Sequence, residues 1–218
     1  MDTLSLNIQD QCFHMHPTGA LFWEDRSLLM LSDVHLGKIS HFRKFGAAVP
    51  QQAILKNFET MDQAIAHFKP AHLVFMGDLF HSSVNKEWDL FEAWVAQKTL
   101  KITLVVGNHD IISPLKYEAL GIAVTPELSY KGFFMTHHPE ERAGWFNFSG
   151  HIHPAIRLTG LGRQSVRLRC FYKSSVQLIL PAMGEFTGSH TVAVTKECEV
   201  FAILGDTVLP VQVHPRKT

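Results

Sequence analysis

Five short apolar runs punctuate the first two-thirds of the chain, and each leads to a polar residue of a particular kind. Run 28–31 leads to Asp33, 73–76 to Asp78, 102–106 to Asn108, 133–136 to His137 and 145–148 to His151. The runs have the length of strands, and the first three are unbroken enough to be buried on both faces, as parallel strands are. Between them, Ile54, Phe58, Met61, Ile65 and Phe68 recur at three- and four-residue steps, which predicts an amphipathic helix bounded by Pro50 and Pro70. Trp88, Phe91 and Val95 predict a second helix, and both stripes read as core packing. After Pro154 the pattern changes. Segments 168–172, 176–180, 200–204 and 208–213 read as strands without helices between them, with turns at 160–162 and at Gly205-Asp206. This half predicts a largely antiparallel sheet. With no repeat, low-complexity segment or linker, residues 1–218 read as one α/β (α+β) domain, a β-sandwich flanked by helices.

Ligands of open α/β sheets bind at the carboxyl ends of the strands. Those ends here carry Asp, Asp, Asn, His and His, all of them metal-ligand types. Composition sharpens the point. The chain has 14 histidines, as many as it has glycines, and histidine is the commonest metal ligand and the usual proton shuttle. At 46% hydrophobic and 18% charged, the sequence carries a real core and no sign of disorder. The formal net charge is zero, so contact with a polyanion has to come from a local patch rather than from overall charge. Cys12, Cys170 and Cys198 are far apart and form no C-x-x-C pair, which points away from a disulfide framework or a zinc ribbon and fits a reducing, cytoplasmic setting. The N-terminal segment lacks a basic region followed by an apolar one, so no signal peptide is expected, and no apolar run reaches membrane-spanning length.

The segment S-G-H-I-H-P (149–154) places His151 and His153 two apart. In an extended chain both side chains point to one face, with Cα atoms roughly 6.5–7 Å apart. That spacing suits ligands to one ion or to two adjacent ions, and taken alone it equally suits a pair of surface histidines. The neighbouring words decide between these readings. D-V-H (33–35), G-D-L-F-H (77–81), G-N-H-D (107–110), T-H-H-P (136–139) and G-H-I-H (150–153) stand in this order. Two divalent ions side by side need a shared anionic ligand, and a carboxylate can bridge; Asp78 is the candidate.

The five words in series resemble the calcineurin-like metallophosphoesterase superfamily. That resemblance implies a four-layer α/β/β/α sandwich and two divalent metal ions. It also implies a ligand set, with Asp33, His35 and His153 on the first ion, Asn108, His137 and His151 on the second, and Asp78 on both. The mixed oxygen and nitrogen donors suit Mn²⁺ foremost, or Fe or Zn²⁺, better than Mg²⁺. His138 rivals His137 for one ligand position, and His137 is preferred as the first histidine after the apolar run. The resemblance further implies that His109 lies over the reacting phosphate rather than on a metal, with Asp110 placed to orient it. His81 matches a phosphate-facing histidine in the nuclease subunit of the double-strand-break repair complex; an N-cap or supporting role is the alternative.

Segments 35–50 and 180–188 are similar to the ligase-associated DNA-damage-response phosphoesterases of bacteria, although M-G-E at 183–185 departs from that pattern and leaves Glu185 without a role. This likeness implies a DNA-repair endonuclease and, as partners, a DNA ligase together with a helicase and nuclease. Lys38, Arg43 and Lys44 would then grip phosphates flanking the scissile one, and Phe42 and Phe45 would stack on bases or pack in the core. A nucleotide or cyclic-nucleotide phosphodiesterase is the competing reading. A non-catalytic scaffold is a third, disfavoured because all the ligand words and the G-N-H histidine are present.

Overall fold

The structure is a computed structural model describing residues 2–39, 52–160, 164–185 and 187–211. An antiparallel meander opens the chain, formed by β1 (Leu4–Ile8), β2 (Gln11–Met15) and β3 (Leu21–Trp23), and a 3₁₀ turn (Glu24–Arg26) leads into β4 (Leu28–Leu31). β4 then pairs in parallel with β5 (His72–Met76), β5 with β6 (Lys101–Val105), and β6 with β7 (Ala123–Thr125). Parallel neighbours need crossovers. Helices α1 (Gln52–Phe68), α2 (Lys86–Val95) and α3 (Pro114–Glu118) lie along them. The start of α2 is set by Asn85, whose side chain accepts the Glu87 N–H at 2.8 Å.

Alternation within the strands splits the interior into two cores. Leu29, Leu31, Leu73, Phe75, Ile102 and Leu104 face Ile54, Phe58 and Met61 of α1, Trp88 and Phe91 of α2 and Tyr117 of α3. Leu28, Met30, Val74, Met76 and Val105 point the other way, onto a second sheet. That sheet comprises β8 (Leu128–Tyr130), β9 (Phe133–Met135), β10 (Phe146–Ser149), β11 (Pro154–Thr159), β12 (Ser165–Lys173), β13 (Gln177–Ile179), β14 (His190–Thr191), β15 (Glu199–Leu204) and β16 (Thr207–Pro210). Its order is β14-β11-β12-β13-β10-β9-β8, with β15 pairing β12 and β16. The inter-sheet core is aromatic. Phe13 sits 5.2 Å from the Trp23 ring, 5.6 Å from Phe133 and 5.0 Å from Phe148, and full burial of each such side chain is worth ~1.5–3 kcal/mol.

The strands predicted after Pro154 pair antiparallel with one another, as expected, and the sheet they join also contains parallel neighbours. β11–β12, β12–β13, β12–β15 and β15–β16 run antiparallel, but β9, β10 and β13 are parallel, as are β11 and β14. The reason is the connection: β9 and β10 are joined by ten residues that return the chain to the start of the sheet rather than by a tight turn. The consequence is functional, since parallel β9 and β10 deliver the residues after them, His137 and His151, to the same end. The expected turn at Gly205-Asp206 joins β15 to β16. Among the described residues the α-helices all pack in the first core, and no helix is long and apolar enough to cross a membrane.

Candidate metal centre

The loops after β4 and β5 are zipped together past the end of their strands. Asp33 N–H donates to Gly77 O at 3.3 Å, His35 N–H to Asp78 O at 2.9 Å, Leu36 N–H to Leu79 O at 2.8 Å and His81 N–H to Leu36 O at 2.9 Å. Within this ladder Asp33 (φ 53°), His35 (φ 51°) and Asp78 (φ 50°) adopt the left-handed backbone conformation, and His151 (φ 65°) and His153 (φ 51°) do the same after β10. The left-handed region turns these side chains inward. Gly77 (φ +80°) admits the His137 ring where a Cβ would collide with it, and Gly107 gives the same room to Asp78.

Two groups of donor atoms result. In the first, His153 Nε2 lies 3.1 Å from Asp33 Oδ1 and 3.4 Å from His35 Nε2. In the second, His137 Nε2 lies 2.9 Å from Asn108 Oδ1 and 3.1 Å from His151 Nδ1. Asp78 stands between them, with Oδ1 3.3 Å from His137 Nε2 and Oδ2 3.8 Å from His35 Nε2. A single His137 Nε2 cannot donate to Asn108 Oδ1, His151 Nδ1 and Asp78 Oδ1 at once, but separations near 3 Å are those of ligands around a common ion with bonds of ~2.0–2.2 Å. Asp33 Oδ1 is buried and accepts no well-formed hydrogen bond, so a ligand atom waits there for a cation. The residues fit two ions, with the Asp78 carboxylate placed between the two donor groups.

A model of the calcineurin-like phosphoesterases matches residues 27–159, the span that holds all of these groups. The chain belongs to the calcineurin-like phosphoesterase family. It is thus a metal-dependent phosphoesterase, a hydrolase of a family that uses two divalent ions. Among solved structures it is similar to the Pseudomonas putida nuclease MPE, at a TM-score of 0.81 and 25% identity, covering 96% of this chain and 100% of that one. No curated protein matches the sequence.

In this phosphoesterase His137 and His138 both reach the second donor group, and they differ in burial. His137 is buried and fixed through Nδ1 to Met76 O at 3.1 Å, which leaves Nε2 for the centre. His138 is exposed, yet its ring centroid stands only 4.0 Å from that of His151, and it offers a ring nitrogen to the same group. His81 Nδ1 lies 3.2 Å from His35 Nδ1, and the His81 and His109 rings are 4.4 Å apart, forming a second row of imidazoles beside the ligands. The expectation for Asp110 needs correcting. Its Oδ1 accepts the Phe80 N–H at 3.0 Å and its Oδ2 the Gly107 N–H at 2.8 Å, and no hydrogen bond joins it to the His109 ring. Two backbone donors outbid one imidazole, so Asp110 pins the G-N-H loop to the G-D-L-F loop. Burial raises its pKa to about 6.

The charges follow from burial. Desolvation lowers the pKa of His35 to about 3 and lowers that of His151, keeping both neutral and ready to ligate. Burial alone would raise Asp33, but the His153 ring beside it and the Ser32 hydroxyl outweigh it and hold the carboxyl below its ordinary value. Burial also lowers Lys38, opposed by the Asp78 carboxylate. Lys38 thus lies within electrostatic reach of Asp78, whereas Arg43 and Lys44, with Phe42 and Phe45, lie outside the described residues.

Sequence reasoning left Glu185 without a role, and the structure gives one to the segment around it. Met183 N–H donates to Ser32 O at 3.0 Å, Gly184 N–H to Asp33 O at 3.1 Å, and Gly188 O accepts from His153 Nδ1 at 3.0 Å. The segment therefore fixes two candidate ligands from behind. Arg169 holds it in turn, donating to Ala182 O at 2.7 Å, and Glu185 N–H donates to Asn57 Oδ1 at 2.9 Å, tying it to α1. The signal available in the sequence was the pair of glycines 184 and 188, of which Gly184 has no room for a Cβ against the Val34 carbonyl.

Proposed function

We propose that this phosphoesterase cleaves phosphodiester bonds in DNA as a repair-type nuclease, with Asp33, His35, Asp78 and His153 holding one ion and Asp78, Asn108, His137 and His151 the other. The observation that carries the metal reading is Asp78, which turns one oxygen to each donor group. Support for the DNA reading comes from the similarity to a nuclease over the whole chain and from Lys38 beside the centre. Mn²⁺ suits the mixed imidazole, amide and carboxylate donors. A DNA ligase and a helicase or nuclease of the same repair process are the partners this reading entails.

Bound ions would supply Lewis acidity and a water acidified to near neutral pH. The chain's own groups do the rest. The neutral imidazoles of His35 and His151 donate lone pairs rather than competing as cations. His109 and His81 stand side by side next to the ligands, where one ring protonates the leaving oxygen and the other hydrogen-bonds a phosphate oxygen. Lys38 attracts the phosphodiester anion, and Asp110 keeps the His109 loop in register with Asp78. The test is turnover by the Mn²⁺-loaded protein on a chromogenic diester, a monoester, cyclic nucleotides, and single- and double-stranded DNA. Cleavage of DNA at a kcat/KM well above that for cyclic nucleotides is the expected result; the reverse order makes the protein a nucleotide phosphodiesterase.

A further inference from the structure

A second set of metal-ligand side chains lies on the meander. Cys12 and His14 are two apart on β2 and so share one face. Glu24 begins the 3₁₀ turn that follows β3, the strand paired with β2. Cys12 Sγ lies 3.6 Å from His14 Nε2, His14 Nε2 lies 2.6 Å from Glu24 Oε2, and the three donor atoms fall within 4.8 Å of one another. The group has its own surroundings, namely Ser5, Phe22, Asp25 and Phe68, and includes none of the residues of the dinuclear centre.

We propose that Cys12, His14 and Glu24 bind a single Zn²⁺ ion, with water as the fourth ligand. Tetrahedral zinc with Zn–S of ~2.3 Å and Zn–N of ~2.0–2.1 Å sets a sulfur-to-nitrogen edge of roughly 3.5–3.6 Å, which is the separation found between Cys12 and His14. The nitrogen-to-oxygen edge has to open from 2.6 Å to ~3.3 Å. Glu24 has the freedom to do this, since its side chain is 60% exposed. The His14 ring is held from behind by Ser5 Oγ, 3.0 Å from Nδ1, and an N–H donated there leaves the Nε2 lone pair for the ion. Sulfur, imidazole and carboxylate together select zinc over Mg²⁺, Ca²⁺ or Mn²⁺. Burial and the Glu24 and Asp25 carboxylates push the Cys12 thiol up, so without an ion it keeps its proton; zinc displaces that proton to solution on binding. The bound ion ties β2 to the turn after β3.

Cobalt substitution tests this, because a thiolate–cobalt charge-transfer band reports sulfur ligation and the dinuclear donor groups contain no sulfur. The full-length protein should show the band, Cys198→Ser should keep it, and Cys12→Ser should lose it, together with one equivalent of bound zinc, while hydrolysis of a chromogenic ester stays unchanged. Absence of the band from the wild-type protein, or its survival in Cys12→Ser, overturns the site. A second measurement needs no variant. Zinc should slow alkylation of Cys12 in the wild-type chain by roughly tenfold or more and leave Cys198 at its ordinary rate; equal Cys12 rates with and without zinc also overturn it.

Discussion

His109→Ala removes an imidazole and leaves the surrounding ligand geometry in place. The backbone N–H of residue 109 donates to Asp78 Oδ1 at 2.9 Å, and alanine retains that bond. The ring itself stands 4.4 Å from that of His81 and 5.7 Å from that of His35, outside both donor groups. Metal content should therefore be unchanged, and the loss should fall on the chemical step. A positioned acid contributes ~10²–10⁴-fold, equivalent to ~2.7–5.4 kcal/mol of barrier. The full loss is expected for a poor leaving group such as the deoxyribose oxygen of DNA. An activated aryl oxygen leaves without a proton, and its hydrolysis should fall by less than ~10-fold. The assay is kcat on both substrates at saturating Mn²⁺, with bound metal measured on the same samples. Parallel losses on the two substrates, or departure of an ion, would refute the assignment. His81 is close enough to share the task, so His81→Ala combined with His109→Ala should cost less than the product of the two single losses.

Asp78→Asn should leave one donor group facing an amide N–H₂ in place of an anion; metal analysis should show at least one ion lost and turnover abolished, and retention of both ions with wild-type rates would contradict the bridge. Arg43→Ala and Lys38→Ala should each weaken DNA binding and flatten its salt dependence by about one unit, with a small diester barely affected; parallel losses on both substrates would count against a DNA track. Acid should destabilise the fold through His16, which is buried and hydrogen-bonded through Nδ1 to Thr18 Oγ1 at 2.8 Å, and whose pKa burial lowers from 6.5 to about 4. The folded state refuses the proton that the unfolded chain accepts, so this stability is complete above pH 6.5, declines as pH falls, and has dropped by about 3 kcal/mol once pH is below 4. Urea unfolding of His16→Gln should show a shallower decline over that interval, and an unchanged slope would exclude His16 as the cause.

The site was more legible in the sequence than the scaffold that carries it. A buried parallel strand announces itself as an unbroken apolar run, and 28–31, 73–76 and 102–106 all became strands whose next polar residues converge. The opening meander escaped notice because β3 has only three residues and the β1–β2 hairpin turns on Gln9 (φ 48°) and Asp10 (φ 62°) rather than on an Asn-Gly or Asp-Gly pair. Parallel pairing of β9 with β10 was also hidden, since strand direction depends on where a connection returns and not on the residues within it. Asp110 misled for a related reason: adjacency to His109 proposed a partner, but the carboxylate found two backbone N–H groups across a loop junction that only the folded chain creates. The Cys12, His14 and Glu24 group spans a strand pairing, and no spacing rule contains it.

The left-handed turns at Asp33, His35, Asp78, His151 and His153 restrict which residues the protein can use as ligands at all. Among residues with side chains, Asn, Asp and His enter this region several-fold more readily than others, whereas most L-residues are disfavoured there by roughly 1–2 kcal/mol. Glutamate has a carboxylate of the same charge, but at these positions it would meet that backbone penalty as well as an extra methylene. A several-fold preference is worth about 0.6–1 kcal/mol per position, so five such substitutions would cost ~3–5 kcal/mol, a large share of the stability of a typical domain. The short alphabet of aspartate and histidine at this centre is thus selected twice, once by what an ion accepts and once by what the main chain permits. Variation under selection should explore Asp, Asn and His at these five positions and avoid Glu, Gln and every β-branched residue, even where a longer arm could still reach an ion.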